Sequence, residues 1–179
     1  MHVRGIHADI PFLFDKDLAL IELANKHQLA YVGLSFVRHA KDIAEAKALI
    51  SSGIDIISKV ETKSAVENLI EILQEVEFIL IDRGDLSTEI GIEKIPAYQS
   101  FIVSKALFHN RKVFLATQFL KNMEVNPIPT IPEVIDMYNT MKTGIYGIQM
   151  SEETAVGKYP KACLDTIVSL MKEIESEIV

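Results

Sequence analysis

Residues 55–81 open with Asp55-Ile56-Ile57-Ser58-Lys59-Val60 and close with Phe78-Ile79-Leu80-Ile81, and the stretch between them has helical periodicity. The two outer runs are apolar, rich in β-branched residues and short, which predicts buried strands. Strand, helix and strand at this spacing make a parallel βαβ unit. The pattern continues in both directions, with further strand-like runs at Tyr31–Phe36, Lys112–Ala116 and Ile145–Met150. Gly53 and Gly144 each close a helix just before a strand. A helix precedes the first strand, with Asp15 as its N-cap and Leu18, Leu20, Ile21, Leu23 and Ala24 as its apolar face. Another follows the last strand, over Lys158–Ile178 with Pro160 in its first turn. The stiff loop Asn126-Pro127-Ile128-Pro129-Thr130 leads to an N-cap at Thr130, with Pro132 just inside that helix.

Five strands alternating with helices predict an α/β fold, either a doubly wound sheet or part of a (β/α)8 barrel, which five strands are too few to close. The chain has 179 residues, 49% of them apolar and 24% charged, with no composition break, which predicts one domain over residues 1–179. Eighteen Lys and Arg against 25 Asp and Glu give a net charge of −7, which argues against gripping nucleic acid or an anionic membrane. The longest apolar runs fall far short of the roughly 20 residues that span a bilayer. One cysteine, Cys163, leaves no disulfide framework and points to a reducing, cytoplasmic setting, and its apolar helix neighbours predict a packed thiol.

In parallel α/β folds, ligands gather at the carboxyl ends of strands. Alternation along the second strand puts Lys59 and Glu61 on one face, an ammonium and a carboxylate in the same space. The third strand runs into Arg83-Gly84-Asp85, where Gly84 lets the backbone approach a ligand and Asp85 offers a second carboxylate. Glu61 and Asp85 could together hold one hard cation, and oxygen donors with no nearby cysteine or histidine suit Mg2+ or Mn2+ better than zinc. The fourth strand ends Ala116-Thr117-Gln118 and the fifth leads into Ser151-Glu152-Glu153-Thr154. Taken singly, these have ordinary readings: a surface ion pair, a strand-end hydroxyl, a solvated acidic pair or first-turn helix charges. His2, His7, His27, His39 and His109 are scattered without ligand spacing. The weight lies in the coincidence, because the candidates fall at the ends of successive strands.

Leu34-Ser35-Phe36-Val37-Arg38, Ile57-Ser58-Lys59-Val60-Glu61, Arg83-Gly84-Asp85-Leu86, Ala116-Thr117-Gln118 and Ser151-Glu152-Glu153-Thr154-Ala155 stand in an order and spacing that resembles the pyruvate kinase family. The resemblance runs nearly end to end and covers the second part of the family's catalytic barrel, strands four to eight. The first three strands, the lid domain and the C-terminal domain have no counterpart in these residues. It implies that Lys59 stabilises the enolate of pyruvate, that Glu61 and Asp85 bind the divalent metal, that Thr117 contacts substrate, and that backbone amides around Gly84 and Asp85 hold the substrate carboxylate. There are departures from the family pattern: Asp82 takes a small-residue position, Ser87 and Glu152 take glycine positions, and Ile128 and Ile131 replace arginines.

The leading expectation is a Mg2+-dependent (or Mn2+-dependent) enzyme acting on pyruvate, phosphoenolpyruvate or a related 2-oxo acid through a metal-stabilised enolate. Phosphotransfer with a partner's help, enolisation, decarboxylation and carbon–carbon bond chemistry all remain open, and ADP phosphotransfer by this chain alone is not expected. The alternative is a non-catalytic metabolite-binding or assembly module derived from such a barrel. Because an incomplete barrel exposes strand edges, a homo-oligomer or a partner chain covering them is expected.

Overall fold

The computed structural model describes residues 10–177. They gather into two compact units, one running to Val113 and the other starting at Phe114. The first contains α1 (Asp15–Lys26), β1 (Tyr31–Leu34), α2 (Ala40–Lys47), β2 (Asp55–Val60), α3 (Lys63–Glu67), α4 (Leu69–Glu75), β3 (Phe78–Asp82), α5 (Arg83–Ile90) and α6 (Ile95–Phe108). β4 (Lys112–Ala116) begins there and ends in the second unit, which continues with α7 (Ile131–Lys142), β5 (Gly147–Gln149), α8 (Glu152–Ala155) and α9 (Pro160–Glu177). Strands and helices alternate in an α/β arrangement, as the sequence predicts.

In the first unit β1, β2 and β3 lie side by side in chain order, all parallel. The register pairs Gly33 with Ile57, Lys59 with Leu80 and Val60 with Ile81. All five residues of β3 are buried, as expected of a strand covered on both faces. Ile43 and Ala46 of α2, Leu69, Ile72 and Leu73 of α4, and Ile102 and Ala106 of α6 are buried as well, with α4 packed against both α2 and α6. In the second unit β4 pairs with β5 in parallel, Phe114 opposite Gly147. Leu115, Phe119, Leu120, Met123, Met137 and Cys163 form its buried interior, and α7 packs on α9.

Several local expectations need correcting. β1 stops at Leu34 rather than Phe36, because Phe36 turns into the left-handed region at φ 56°. β5 is three residues long rather than six. The helix after β2 breaks at Asn68, whose side-chain amide donates to the carbonyls of Arg38 and Ser64 and so stitches the break to the β1–α2 loop. In α1, Phe14 holds the N-cap position, and the Asp17 carboxylate accepts the Phe14 N–H at 2.9 Å. Only Ile21 and Ala24 of its apolar set are buried, while Leu18, Leu20 and Leu23 face solvent within the chain.

Other expectations hold. Gly144 follows the end of α7 at φ 85°, as expected, whereas α2 already ends at Lys47 and Gly53, at φ 96°, forms the turn before β2 instead of closing the helix. Thr130 occupies the N-cap of α7, its N–H and hydroxyl both donating to Glu133 at 2.7 and 2.9 Å. Cys163 is a fully buried free thiol. His2, His7 and Ile178 lie outside the described residues.

Candidate active site

The site in the first unit is built where β2 and β3 end. Val60 pairs with Ile81, so the next residues, Glu61 just past β2 and Asp82 at the end of β3, come side by side. Lys59, two residues before Glu61, shares its side of the strand. Its ammonium lies 2.7 Å from Glu61 Oε2 and 3.2 Å from Asp82 Oδ2, and 3.4 Å from the Ser35 hydroxyl. The sequence reading that Lys59 and Glu61 look into one space is thus met by a direct ion pair.

Glu61 is completely buried. Its Oε1 accepts the Phe36 N–H at 2.6 Å, while Oε2 has the Lys59 ammonium beside it but no hydrogen bond of regular geometry. Thr62, which follows, caps α3 by accepting the Ala65 N–H and donates its own hydroxyl to the Val37 carbonyl, fixing the β2 end against the β1 loop.

Asp82 ends β3 and caps α5: its Oδ1 accepts the N–H groups of Gly84 at 3.2 Å and Asp85 at 3.4 Å. Aspartate is a strong N-cap residue because its carboxylate satisfies amides that have no partner inside the helix. One carboxylate oxygen from each of Glu61, Asp82 and Asp85 lies within 4.8 Å of the others.

Burial pushes the Glu61 carboxyl above its usual range, although Lys59 and the Phe36 N–H pull it down. For Lys59 burial acts to lower the pKa, but the contacts with Glu61 and Asp82 outweigh it, and the ammonium ends above the ordinary lysine value. The two shifts belong together: the carboxylates of Glu61 and Asp82 both lie against the Lys59 ammonium. A second cation would offset the acidic charge gathered there, and three carboxylate oxygen donors fit a hard divalent ion.

Thr117 belongs to the second unit. It and Gln118 both have positive φ, 74° and 57°, and Thr117 Oγ1 donates to the Ala116 carbonyl at 2.7 Å. Two consecutive left-handed residues, one of them β-branched, are a strained arrangement of the kind found at functional sites. Glu152 and Glu153 are first-turn charges of α8, one of the two ordinary readings, but Glu153 is not solvated: it is completely buried, and among the described residues neither carboxylate oxygen has a hydrogen-bond partner. Gly157 packs against it so closely that a Cβ would lie 2.3 Å from the Glu153 carbonyl oxygen.

The family model described as the pyruvate kinase barrel domain matches residues 1–164. The chain belongs to the pyruvate kinase barrel-domain family. It is 36% identical to a pyruvate kinase of Thermotoga maritima over 99% of its own length and 40% of that relative. Pyruvate kinases of Borreliella burgdorferi and Dictyostelium discoideum are 35% and 34% identical, each over 98% of this chain and 38% and 35% of their own lengths. The chain thus spans about two fifths or less of the pyruvate kinases named here. Membership carries the barrel-type α/β fold expected from the sequence.

Against that pyruvate kinase background, Asp82 is the residue whose place in the cluster the sequence reading missed. It entered only as a departure from a small-residue position, yet it joins the cluster at closer quarters to Lys59 than any residue but Glu61. The available signal was its place directly before Arg83-Gly84-Asp85, where a helix must start and an aspartate would cap it.

Proposed function

We propose that the chain binds Mg2+ or Mn2+ and acts on pyruvate, phosphoenolpyruvate or a related 2-oxo acid by enolate chemistry, without ADP phosphotransfer of its own. The observation that carries this reading is the Lys59 ammonium held between Glu61 and Asp82 beside a cluster of three carboxylates. In it Glu61 and Asp85 hold the cation, Lys59 offsets negative charge forming on the substrate oxygen, Thr117 contacts substrate, and the N–H groups of Gly84 and Asp85 receive the substrate carboxylate. When bound, the cation would draw electron density from a chelating 2-oxo acid and make its C3 protons more acidic. Family membership supports the assignment of chemistry, and the strained Ala116-Thr117-Gln118 turn supports a functional role for that segment.

Among the described residues no helix is long and apolar enough to cross a membrane. We read the protein as cytoplasmic, and as a homo-oligomer or the partner of another chain that covers the exposed apolar side of α1 and the outer edge of β1. Light scattering on the purified chain tests this: a monodisperse monomer would overturn the homo-oligomer and leave the partner chain.

The test of the chemistry is proton NMR of pyruvate in D2O at saturating pyruvate and Mg2+. Loss of the methyl signal that needs both Mg2+ and Lys59, with Lys59→Met as control, is the expected result. Exchange no faster than the Mg2+ blank overturns stand-alone enolisation and leaves the binding-module reading.

A further inference from the structure

The Asp82 carboxylate stands where a ligand's carboxylate would stand. Its Oδ1 takes the N–H groups of Gly84 and Asp85, its Oδ2 lies 3.2 Å from the Lys59 ammonium, and it sits within the cluster formed with Glu61 and Asp85. The amide pair, the ammonium and the carboxylate cluster are the features that the preceding reading assigns to a bound 2-oxo acid and its cation. All three are engaged by a side chain of the protein itself, one that is almost entirely buried. Its covalent attachment makes it a strong rival for free ligand, because its local concentration is high and no translational freedom is lost on docking. A second carboxylate brought alongside it would also meet like-charge repulsion in a partly desolvated site.

We propose that Asp82 is a built-in competitor for the substrate carboxylate and a third carboxylate ligand for the divalent cation, so that the chain holds the cation while disfavouring free carboxylate ligands. The inference rests on the cation site of the preceding reading. A 2-oxo acid binds only by displacing Asp82 from the first turn of α5, and the aspartate sets which ligands the site admits. Substrates able to chelate the cation without using the amide pair are disfavoured least.

The test uses Mn2+ alone and then oxalate, a small chelating dicarboxylate, titrated calorimetrically into the full chain and into Asp82→Ala and Asp82→Asn. With Asp82→Ala, oxalate should bind at least tenfold more tightly in the presence of Mn2+, and Mn2+ alone several-fold more weakly. Asp82→Asn keeps an oxygen that can cap α5 while losing the charge, so it should show an intermediate gain for oxalate, and it decides the question if the alanine variant does not fold. Unchanged or weaker oxalate binding in the folded variants, with Mn2+ still bound, overturns the competitor role and leaves the cation site standing. No Mn2+ binding by any of the three proteins overturns the cation site and the third-ligand role. In that case oxalate titrated without cation still decides competition: a gain in the variants supports it, and none overturns it.

Discussion

The N–H of Phe36 donates to the buried carboxylate of Glu61 at 2.6 Å, joining the left-handed turn after β1 to the end of β2. The bond fixes one oxygen of Glu61 and leaves the other turned to Lys59. Lys59 thus brings positive charge against both Glu61 and Asp82, and two predictions concern this pairing.

Replacing Lys59 by methionine removes the ammonium between Glu61 and Asp82 and leaves buried acidic groups facing one another. Complete burial would make such a loss cost several kcal/mol, but the Lys59 side chain is 20% exposed, and we expect on the order of 2 kcal/mol. Added Mg2+ should raise the thermal midpoint of Lys59→Met more than that of the unaltered chain, because the ammonium no longer competes for the same oxygens. Equal shifts in a thermal-melt series would count against a shared site.

Glu61→Gln should alter how stability depends on pH. The Glu61 carboxyl titrates higher in the folded chain than its ordinary value of 4.5. Between those two values the folded state binds more protons than the unfolded state, and stability falls as pH rises through the window. The raised pKa of Lys59 contributes a constant amount there, since its stabilisation is lost only above the ordinary lysine range. Urea unfolding from pH 4 to 7 should therefore show the glutamine variant gaining on the parent as pH rises, and a parallel pair of curves would contradict the shift.

At Thr117 the backbone is the point of interest. A β-branched residue at φ 74° bears a strain of roughly 1–2 kcal/mol that glycine does not. Thr117→Gly should match or exceed Thr117→Ala in stability, by up to about 1 kcal/mol, although glycine ordinarily destabilises by a similar amount. A more stable alanine variant in urea titration would show that the turn is not strained.

Cys163 offers a probe of the second unit. Burial, helped by the nearby Glu153 carboxylate, pushes its thiol pKa up, and the side chain has no exposed surface. As the one cysteine in the chain, it should resist a disulfide-exchange reagent at pH 8 in the folded protein and react at the free-thiol rate in urea. Rapid labelling of the folded chain would mean that α9 opens readily.

The strands and the Lys59–Glu61 pairing could be read from the sequence because they follow from periodicity. Buried parallel strands are largely apolar, as in β3 from Phe78 to Ile81, and alternation along a strand decides which side chains share a side. What sequence concealed depended on backbone conformation or on contacts distant in the chain. Nothing in the letters of Phe36, Thr117 or Gln118 marks a left-handed residue, since that region is normally left to glycine and asparagine. Glu153 reads as a solvated acid and is buried because α8 is only four residues long and is packed by α9 and the turn at 121–124. Asp82 was visible as an odd residue, but its role emerged only when both of its oxygens could be assigned partners.

The Asp82 cap also has a genetic side. Codons for aspartate and alanine differ at their middle base alone, so a single point mutation separates the capped arrangement from one in which the Gly84 and Asp85 amides lose that acceptor. Selection for carboxylate turnover in a growing population would have a one-step route to act on, and the persistence or loss of the aspartate under such selection would record which ligand the organism needs this chain to hold.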